Sequence, residues 1–527
     1  MADLFHRLVE RAAARAPDAT ALLHKETALS YGMLDSEMRR VASGLAGLGL
    51  GPRDRVGIWL EKRPEMVISL FAAAAAGLVF VPLNPLLLPH QLRHIMTDCN
   101  VRCLVTSSAR LAQLGDVLPA CADLHSVVLV DDGAPAEDLP ERIGVESFAA
   151  LTDAAEGHRA IDTDMTAILY TSGSTGAPKG VVLSHRNLVA GAESVATYLE
   201  NTPDDVILSI LPLSFDAGLS QITTACYAGA AVGLIDYLLP RDVARAAARW
   251  GATGIGGVPP LWHQLAAIDW PEEAVRSLRY FTNTGGHMSR TLLEKLRGIC
   301  PGAAPYLMYG LTEAFRSTYL PPADIDSRPD SIGKAIPNAE IMVVADDGHI
   351  CGPGEEGELV HRGALVSMGY WNDPARTAER FRPAPGHEPA LPLPEMAVWS
   401  GDTVRLDDDG YLYFVGRRDD MIKTSGYRVS PTEVEEIILN SGYVREAIVA
   451  GVPDVVLGQA IVAVAVPPHG GDGDEKAVID VCRSRLPQYM VPRSVAFATD
   501  LPRNPNGKID RKAVVAAHFP QDEGSDT

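Results

Sequence analysis

Short runs of Val, Ile and Leu alternate with Ala-rich stretches of helical spacing between about residue 50 and residue 370. The clearest apolar runs lie at 55–59, 103–106, 126–130 and 230–235. Regular alternation of buried strands with helices is typical of layered α/β folds. We therefore predict an α/β protein in which several α/β layers make up most of the chain.

The pattern changes between residues 340 and 415, where apolar and polar positions alternate and Asp-Gly pairs separate the runs. Such alternation predicts antiparallel hairpins, here a small β-barrel-like part. The last 110 or so residues contain their own helical pattern at 430–440 and their own strand pattern at 460–466. This length suits a separate domain. We predict a large N-terminal domain (residues 1–417) and a small α+β C-terminal domain (residues 418–527).

The longest apolar run, residues 66–83, nearly reaches the length of a membrane span. It contains five consecutive alanines followed by Gly77 and Pro82, so we predict a helix that ends at the glycine and a short buried strand after it. The N-terminal segment mixes charged and apolar residues and lacks the apolar centre of a signal peptide. We expect a cytoplasmic protein without a membrane span.

The charge of the chain excludes one large class of partners. With 46 Lys and Arg against 67 Asp and Glu, the net charge is −21. Since affinity for nucleic acids comes from clustered cations, we expect no nucleic-acid partner. The hydrophobic share of 46% and the charged share of 21% are ordinary for a globular protein. The seven cysteines form no C-x-x-C pair, which argues against a disulfide framework or a zinc site.

The strongest local signal is the segment 168–180, an apolar strand that leads into a loop of Gly, Ser and Thr containing Lys179. Backbone N–H groups in such a loop form a concave site for phosphate oxygens, and the lysine adds positive charge. Pro178 and Pro259 stand where a P-loop and a dinucleotide fingerprint, respectively, require glycine. We therefore predict a nucleotide-phosphate site of another type. Its candidate residues are Thr171, Ser172, Gly173, Ser174, Thr175, Gly176 and Lys179.

This segment resembles the signature of the adenylate-forming superfamily, which includes acyl-CoA synthetases, adenylation domains of nonribosomal peptide synthetases and firefly luciferase. Further motifs of that superfamily follow in its order at 309–313, 400–402, 416–419, 423–428 and 506–511. The resemblance implies an enzyme that uses ATP and Mg²⁺ to form an acyl adenylate and then transfers the acyl group to a thiol. It also implies that the C-terminal domain is mobile and rotates between these two half-reactions.

The resemblance assigns roles to individual residues. Lys508 matches the catalytic lysine, Glu313 the Mg²⁺ ligand and Thr312 a partner of the phosphates. Asp402 matches the acceptor of the ribose hydroxyls, and Arg417 its helper. Without the resemblance, Lys508 is a loop lysine, and Asp402 and Arg417 are surface charges. The remaining matches to the nucleotide site are Gly285, Gly286, Tyr309, Gly310 and Leu311.

A second group of matches concerns the transfer to the thiol. Asp419 occupies the hinge position, although its sequence context equally suits an exposed charge in a turn. After the rotation, Gly426 would border the pantetheine tunnel and Lys423 would enter the place that Lys508 leaves. Arg428 would contact phosphate.

The segment 211–218 bears on the acid substrate. It has Phe215 and Asp216 where amino-acid adenylation domains have Phe-Asp, whose aspartate binds the substrate ammonium. A carboxylate in a pocket is costly unless a cation pairs with it, which favours an amino acid. Alternatively, Asp216 caps a helix that begins near Gly218. Gly286 and His287 match the lining of the carboxylate site, and His287 is alternatively a solvated loop residue.

Other segments are mixed in character. Residues 308–313 and 423–433 resemble acyl-CoA ligases, whereas 504–512 resembles peptide-synthetase domains. The mixture is similar to stand-alone bacterial ligases, including a group associated with exosortase systems. Because no carrier domain follows residue 527, we expect an amino acid to be passed to a free-standing phosphopantetheinyl carrier protein. The alternative is an AMP-forming acyl-CoA ligase for a small or medium carboxylic acid. A nucleotide-binding protein without activity is a further alternative.

Overall fold

The computed structural model describes residues 4–133, 139–152, 155–171, 178–386, 388, 390–417, 421–467, 473–502, 509 and 511–519. The helices in these ranges are α1 (Arg7–Arg15), α2 (Tyr31–Gly47), α3 (Pro64–Ala75), α4 (Pro89–Asp98), α5 (Ser108–Leu111), α6 (His185–Tyr198), α7 (Asp216–Ala228), α8 (Pro240–Trp250), α9 (Pro259–Leu265), α10 (Glu272–Ser277), α11 (Arg290–Ile299), α12 (Pro374–Arg380), α13 (Pro431–Leu439), α14 (Glu475–Arg485) and α15 (Arg511–His518).

The strands are β1 (Thr20–His24), β2 (Thr27–Ser30), β3 (Arg55–Trp59), β4 (Val79–Pro82), β5 (Val101–Thr106), β6 (Ser126–Leu129), β7 (Gly144–Ser147), β8 (Met165–Thr171), β9 (Lys179–Ser184), β10 (Val206–Ser209), β11 (Ala231–Leu234), β12 (Gly254–Gly257), β13 (Tyr280–Asn283), β14 (Ala304–Tyr309), β15 (Thr318–Leu320), β16 (Ser331–Ala335), β17 (Ala339–Val344), β18 (Glu356–Gly363), β19 (Phe381–Pro383), β20 (Met396–Leu406), β21 (Leu412–Arg417), β22 (Ile422–Thr424), β23 (Tyr427–Val429), β24 (Glu446–Asp454), β25 (Gly458–Val466) and β26 (Ser494–Phe497).

Two parallel sheets form the predicted α/β layers. The first has the order β7-β6-β5-β3-β4-β8-β9, in which β9 alone runs antiparallel to its neighbour. The second contains the parallel series β1-β11-β10-β12-β13-β14. All four residues of β4, β6 and β11 are buried, as expected of parallel strands covered by helices on both faces. The α/β prediction is confirmed.

The apolar run at 66–83 is part of the core. Residues 66–74 of α3 are all buried, and the chain continues through a buried turn into β4. Pro64 stands at the first helical turn, where a missing N–H costs nothing. A helix buried on every face needs no polar side, which explains why its sequence resembles a membrane span. In the part of the chain that the structure describes, no helix combines the length and the apolar character needed to cross a membrane.

The antiparallel part continues from the second parallel sheet. Strands β15, β16, β21, β20, β18 and β17 pair antiparallel in that order onto β14, and β19 adds to β20. The antiparallel hairpins predicted between residues 340 and 415 are thus confirmed.

The C-terminal lobe, defined here as the described residues from 421 onward, has its own five-stranded sheet, β23-β22-β25-β24 with β26 on β25. Helices α13 and α14 cover this sheet around a separate hydrophobic core that includes Val434, Ile438, Ile461, Val478 and Val495. The boundary between residues 417 and 418 stays a prediction, because residues 418–420 lie outside the described ranges.

Candidate active site

Four neighbouring parallel strands, β10, β12, β13 and β14, open at their carboxyl ends onto one cavity of about 490 Å³. The carboxyl ends of parallel strands meet at one edge of a sheet, where ligand sites of α/β proteins form. Residues that follow these strands line the cavity, among them Asp216, Val258, Thr284 and Leu311. The residues just named come from segments that are up to about a hundred residues apart in sequence, yet they line one cavity.

The predicted phosphate loop lies partly outside the described residues. Ser172, Gly173, Ser174, Thr175 and Gly176 belong to the undescribed segment 172–177. The residues on either side of it are cross-strand partners, since Thr171 at the end of β8 pairs with Lys179 at the start of β9. Thr171 lines the cavity. Asp419 and Lys508 also lie outside the described residues.

A buried cluster of Lys179, Glu313 and Tyr370 adjoins Thr171 and Thr312, which line the cavity. The Lys179 ammonium lies 3.0 Å from Glu313 Oε1 and donates to Tyr370 Oη at 2.7 Å. Tyr370 in turn donates its hydroxyl hydrogen to Glu313 Oε1 at 2.6 Å. Glu313 stands in the short 3₁₀ turn Thr312–Ala314 that follows β14, and its side chain is 4% exposed.

The electrostatics of this cluster keep Glu313 ionised. Burial opposes its ionisation, but the charges of Lys179 and Arg428 and the hydrogen bond from Tyr370 hold the pKa of Glu313 well below its usual value. Its second oxygen, Oε2, is buried and has no hydrogen-bond partner among the described residues. A charged oxygen in that situation fits a Mg²⁺ ion held by one carboxylate together with phosphate oxygens.

The predicted ribose residues come together on two antiparallel strands. Asp402 on β20 is directly opposite Arg417 on β21, although the side chain of Arg417 lies outside the described part. Asp402 is buried and accepts a hydrogen bond from the hydroxyl of Tyr309, at the end of β14. Thr312, Gly310 and Leu311 follow Tyr309 and line the cavity.

A hairpin of the C-terminal lobe enters the cavity. Strands β22 and β23 are joined by the two-residue turn Ser425-Gly426, and both residues have positive φ, +53° and +81°. This conformation matches the tight turn that two-residue hairpins favour. Lys423 and Arg428, on the two strands, line the same cavity. The Lys423 ammonium lies 5.7 Å from the centroid of the Tyr309 ring.

Several contacts hold this hairpin against the N-terminal domain. A Cβ placed on Gly285 would lie only 3.4 Å from Gly426 Cα, so the two backbones approach closely. The ring of Tyr427 packs edge to face against Phe215 of the N-terminal domain, with centroids 5.0 Å apart, and it stacks on Tyr489 of its own lobe at 3.7 Å. The predicted thiol-transfer residues are thus close to the predicted nucleotide residues in this arrangement of the lobes.

Asp216 has a partner within the chain that sequence reasoning missed. Arg316 Nη1 donates to Asp216 Oδ2 at 2.7 Å, and the Arg316 side chain is only 4% exposed. Burial raises the pKa of Asp216, and the Arg316 charge opposes that rise. Helix α7 begins at Asp216 after an N-cap at Phe215, so the expectation that Asp216 caps a helix near Gly218 is corrected.

This pairing changes the argument about the substrate. The cost of burying the Asp216 carboxylate, which favoured an ammonium group on the substrate, is already offset by Arg316. The only signal in the sequence was an arginine within an otherwise uncharged segment, residues 314–320, directly after the 309–313 motif.

His287 is not part of the cavity. Its side chain is exposed, and neither His287 nor Gly286 contributes to the cavity lining. Gly286 instead accepts a hydrogen bond from Asn283 through its backbone carbonyl, at 2.9 Å. For His287, the structure agrees with the solvated-loop alternative and corrects its expected place beside the substrate.

Comparison with known proteins agrees with this geometry. Residues 9–371 match the model of a family described as AMP-binding enzyme, and residues 433–508 match the AMP-binding enzyme C-terminal domain. An indoleacetate–CoA ligase from Aromatoleum aromaticum is 30% identical over 514 residues, which cover 96% of each chain. A linear gramicidin synthase from Brevibacillus parabrevis is 30% identical over 519 residues; these cover 98% of this chain and only 6% of that much longer protein.

A solved structure is also similar. The o-succinylbenzoate CoA synthetase from Bacillus subtilis superposes with a TM-score of 0.80 at 26% identity, over 96% of this chain and 97% of that one. The match of the family model to more than half of the chain and the shared fold lead to one conclusion. The chain belongs to the AMP-binding enzyme family and is an adenylate-forming ligase.

Proposed function

We propose that the protein activates a carboxylic acid with ATP as its acyl adenylate and then transfers the acyl group to a phosphopantetheine thiol. One observation supports this proposal more strongly than the others. The cavity is lined by the hairpin tip at Gly426 and by Thr171 and Thr312. Thr171 is the cross-strand partner of Lys179, and Thr312 precedes Glu313, so the buried Lys179–Glu313 pair lies directly beside the cavity. A site for phosphate chemistry and a route for a second substrate thus meet in one place.

In the first half-reaction, a carboxylate oxygen attacks the α-phosphorus of ATP. The bond from that phosphorus to the bridging oxygen breaks, and pyrophosphate leaves with the electron pair. Negative charge builds up on the phosphate oxygens, and preorganised cations stabilise it. Lys179 and Arg428 are the described cations near Glu313, and Lys508 keeps the catalytic role that the resemblance implies. Glu313 would hold Mg²⁺ through Oε2, and the bound ion would neutralise phosphate charge.

The nucleoside end of ATP fits the Tyr309–Asp402 pair. A buried carboxylate that already accepts one hydrogen bond retains further acceptor sites for ribose hydroxyls. Arg417, directly opposite on the neighbouring strand, supports the carboxylate in the proposed role.

In the second half-reaction, the thiol sulfur forms a bond to the acyl carbon and the acyl–phosphate bond breaks. AMP leaves with the electron pair, and the thiol proton is released. The described arrangement supports this half-reaction, because the hairpin at Ser425-Gly426 lies against Val258 and Gly285. Lys423 is held near the Tyr309 ring, close to the proposed nucleotide site.

Two classes of acid are candidates. An amino acid remains a candidate, because a carboxylate, Asp216, lines the cavity. A small carboxylic acid without an ammonium group is favoured by the 2.7 Å pairing of Asp216 with Arg316, since the chain itself supplies the cation. We therefore favour a small carboxylic acid.

The thiol acceptor is either a carrier protein or coenzyme A. Both carry the same pantetheine arm. Coenzyme A also ends in a phosphorylated nucleotide, whose phosphate groups are bound by Lys and Arg side chains. Leu86 and Val456 line the cavity and are 57% and 44% exposed. Exposed apolar side chains that line a cavity support contact with a protein surface. We therefore propose a free-standing carrier protein as the acceptor.

Mass spectrometry of the reaction products tests this function. Protein, ATP, Mg²⁺ and an acid panel are incubated with coenzyme A or with a phosphopantetheinylated carrier protein. We expect acyl adenylate without an acceptor and an acyl thioester with the carrier. In the isosteric Glu313→Gln variant both products should fall at least tenfold, whereas Glu273→Gln, at an exposed glutamate of α10, serves as the matched control. Absence of acyl adenylate with every acid would refute the proposal.

A further inference from the structure

A second cavity of about 40 Å³ lies directly beside the large one. Four residues line both cavities: Leu211, Ala217, Thr284 and Arg316. These residues therefore make up the partition between the two spaces. Arg316 contributes the longest side chain to this partition and the only charged one.

The small cavity extends the large one into the core of the N-terminal domain. Its walls include Val195 and Leu199 at the end of α6, Ile207 in β10 and Met308 in β14, which are all buried and apolar. Ser220, Gln221 and Thr224 of α7 and Thr282 of β13 add polar groups to these walls. Without the partition, the cavity at the strand ends would continue into this mixed apolar and polar space between helices and sheet.

Arg316 is fixed in place from two directions. Its Nη1 donates to Asp216 Oδ2 at 2.7 Å and to the carbonyl oxygen of Phe315 at 3.0 Å. Phe315 has φ of +59°, which is costly for a bulky residue. Its ring is fully buried against Gly191 of α6, where a Cβ would come within 2.6 Å of the ring. This packing holds the turn that directs Arg316 into the partition.

Arg316 brings a positive charge to the partition, and Asp216, which lines the large cavity, balances that charge. A long alkyl or aryl group that reached it would cover the guanidinium and the carboxylate without offering hydrogen bonds, which is unfavourable. It could not pass beyond, because breaking a buried ion pair leaves uncompensated charges. A short acyl group avoids this cost, and one with a hydroxyl or keto group can hydrogen-bond at the partition.

We infer that the Arg316–Asp216 pair ends the acyl pocket and restricts the enzyme to short, polar carboxylic acids. This inference rests on the proposed function and deepens it by naming a substrate class and the residues that select it. The pair acts on specificity, whereas the Lys179–Glu313 cluster acts on the phosphates.

The test compares acids in ATP–pyrophosphate exchange with the full chain. The panel contains acetate, lactate, pyruvate, butyrate, octanoate and phenylacetate. For the wild type, we expect kcat/KM at least tenfold higher for the best short acid than for octanoate or phenylacetate. In the double variant Arg316→Ala/Asp216→Ala, which removes the partition without leaving a lone charge, we expect this preference to fall at least tenfold.

Two further variants keep the test decisive. Arg316→Met/Asp216→Asn has nearly the same volume as the wild type and should relax the preference less, so it replaces the alanine pair if that pair fails to fold. Arg297→Ala/Asp326→Ala removes an exposed ion pair and should keep the wild-type preference. Thermal unfolding and ATP binding show which variants are folded.

The outcomes separate the two claims. Equal use of octanoate and short acids by the wild type, or an unchanged preference in a folded partition variant, would overturn the inference and leave the proposed function standing. Exchange with no acid at all would overturn both.

Discussion

Replacement of Gly426 by alanine should separate the two half-reactions. Gly426 has φ of +81°, and an added Cβ would lie 2.6 Å from Val258 Cγ1 and 2.9 Å from Val258 Cβ. Rotation of the valine side chain cannot relieve the second contact, because Val258 Cβ is fixed to the backbone. The clash therefore acts on the contact between the lobes.

Two costs contribute to the effect of this substitution. The positive φ costs about 1–2 kcal/mol for a residue with a Cβ, wherever the hairpin lies. The clash with Val258 adds about 1–3 kcal/mol of overpacking, and only when the hairpin is docked. The second cost lowers the equilibrium constant for docking roughly 5- to 150-fold.

The assay measures both half-reactions in one preparation. In Gly426→Ala, thioester formation should fall by up to that factor while acid-dependent pyrophosphate exchange stays near the wild-type rate. Gly442→Ala is the matched control, because Gly442 lies in the same lobe with φ of +79° and no atom within 4 Å of an added Cβ. Thioester formation equal to that of the control, or an equal loss in both half-reactions, would refute the docking argument.

Three further predictions concern other residues in or beside the candidate active site. Tyr370→Phe removes a hydroxyl that hydrogen-bonds both Lys179 and Glu313. Because a hydrogen bond to a charged group contributes about 1.5–3 kcal/mol, kcat/KM for ATP should fall roughly 10- to 150-fold. A Mg²⁺ titration of nucleotide binding should shift to higher concentrations in parallel, and an unshifted titration would contradict the role of Tyr370. Glu433 of the C-terminal lobe accepts a hydrogen bond from the side chain of Gln91 in the N-terminal domain. Burial raises the pKa of Glu433 from 4.5 to about 7. Docking of the C-terminal lobe is therefore strongest below about pH 4.5, where the Glu433 carboxyl group is protonated in both the docked and the undocked arrangement. Docking weakens as the pH rises to about 7, because the carboxyl group must then either bind a proton or be buried with its charge. The ratio of thioester formation by Glu433→Gln to that by the wild type should rise from pH 5 to pH 8, and a constant ratio would contradict this. Finally, Tyr309→Phe should weaken ATP binding in calorimetry about tenfold by removing the hydroxyl that orients Asp402.

Sequence patterns predicted the layers well, because burial dictates residue type along parallel strands. The apolar run at 55–59 coincides with β3 (Arg55–Trp59), and the run at 66–83 divides into α3 and β4 as Gly77 and Pro82 indicated. Thr312, a motif residue that follows β14, lines the cavity at the carboxyl edge of the sheet, because the end of the strand fixes its position.

The long-range pairings could not be predicted in this way. Arg316 and Asp216 are a hundred residues apart, and their contact depends on the positive φ of Phe315 and on the absence of a side chain at Gly191. Neither feature leaves a periodic signal in one sequence. His287 shows the opposite kind of error. Its position in a motif predicted a site residue, but its side chain is exposed to solvent.

Acid-dependent ATP–pyrophosphate exchange tests the central claim most directly. Purified protein with Mg²⁺, labelled pyrophosphate and the acid panel should exchange label with at least one short acid. Glu313→Gln and Lys508→Ala should each lower this exchange at least tenfold while both variants remain folded. Exchange that persists in both variants, or ATP binding without exchange for any acid, would contradict the claim that this cavity forms acyl adenylates.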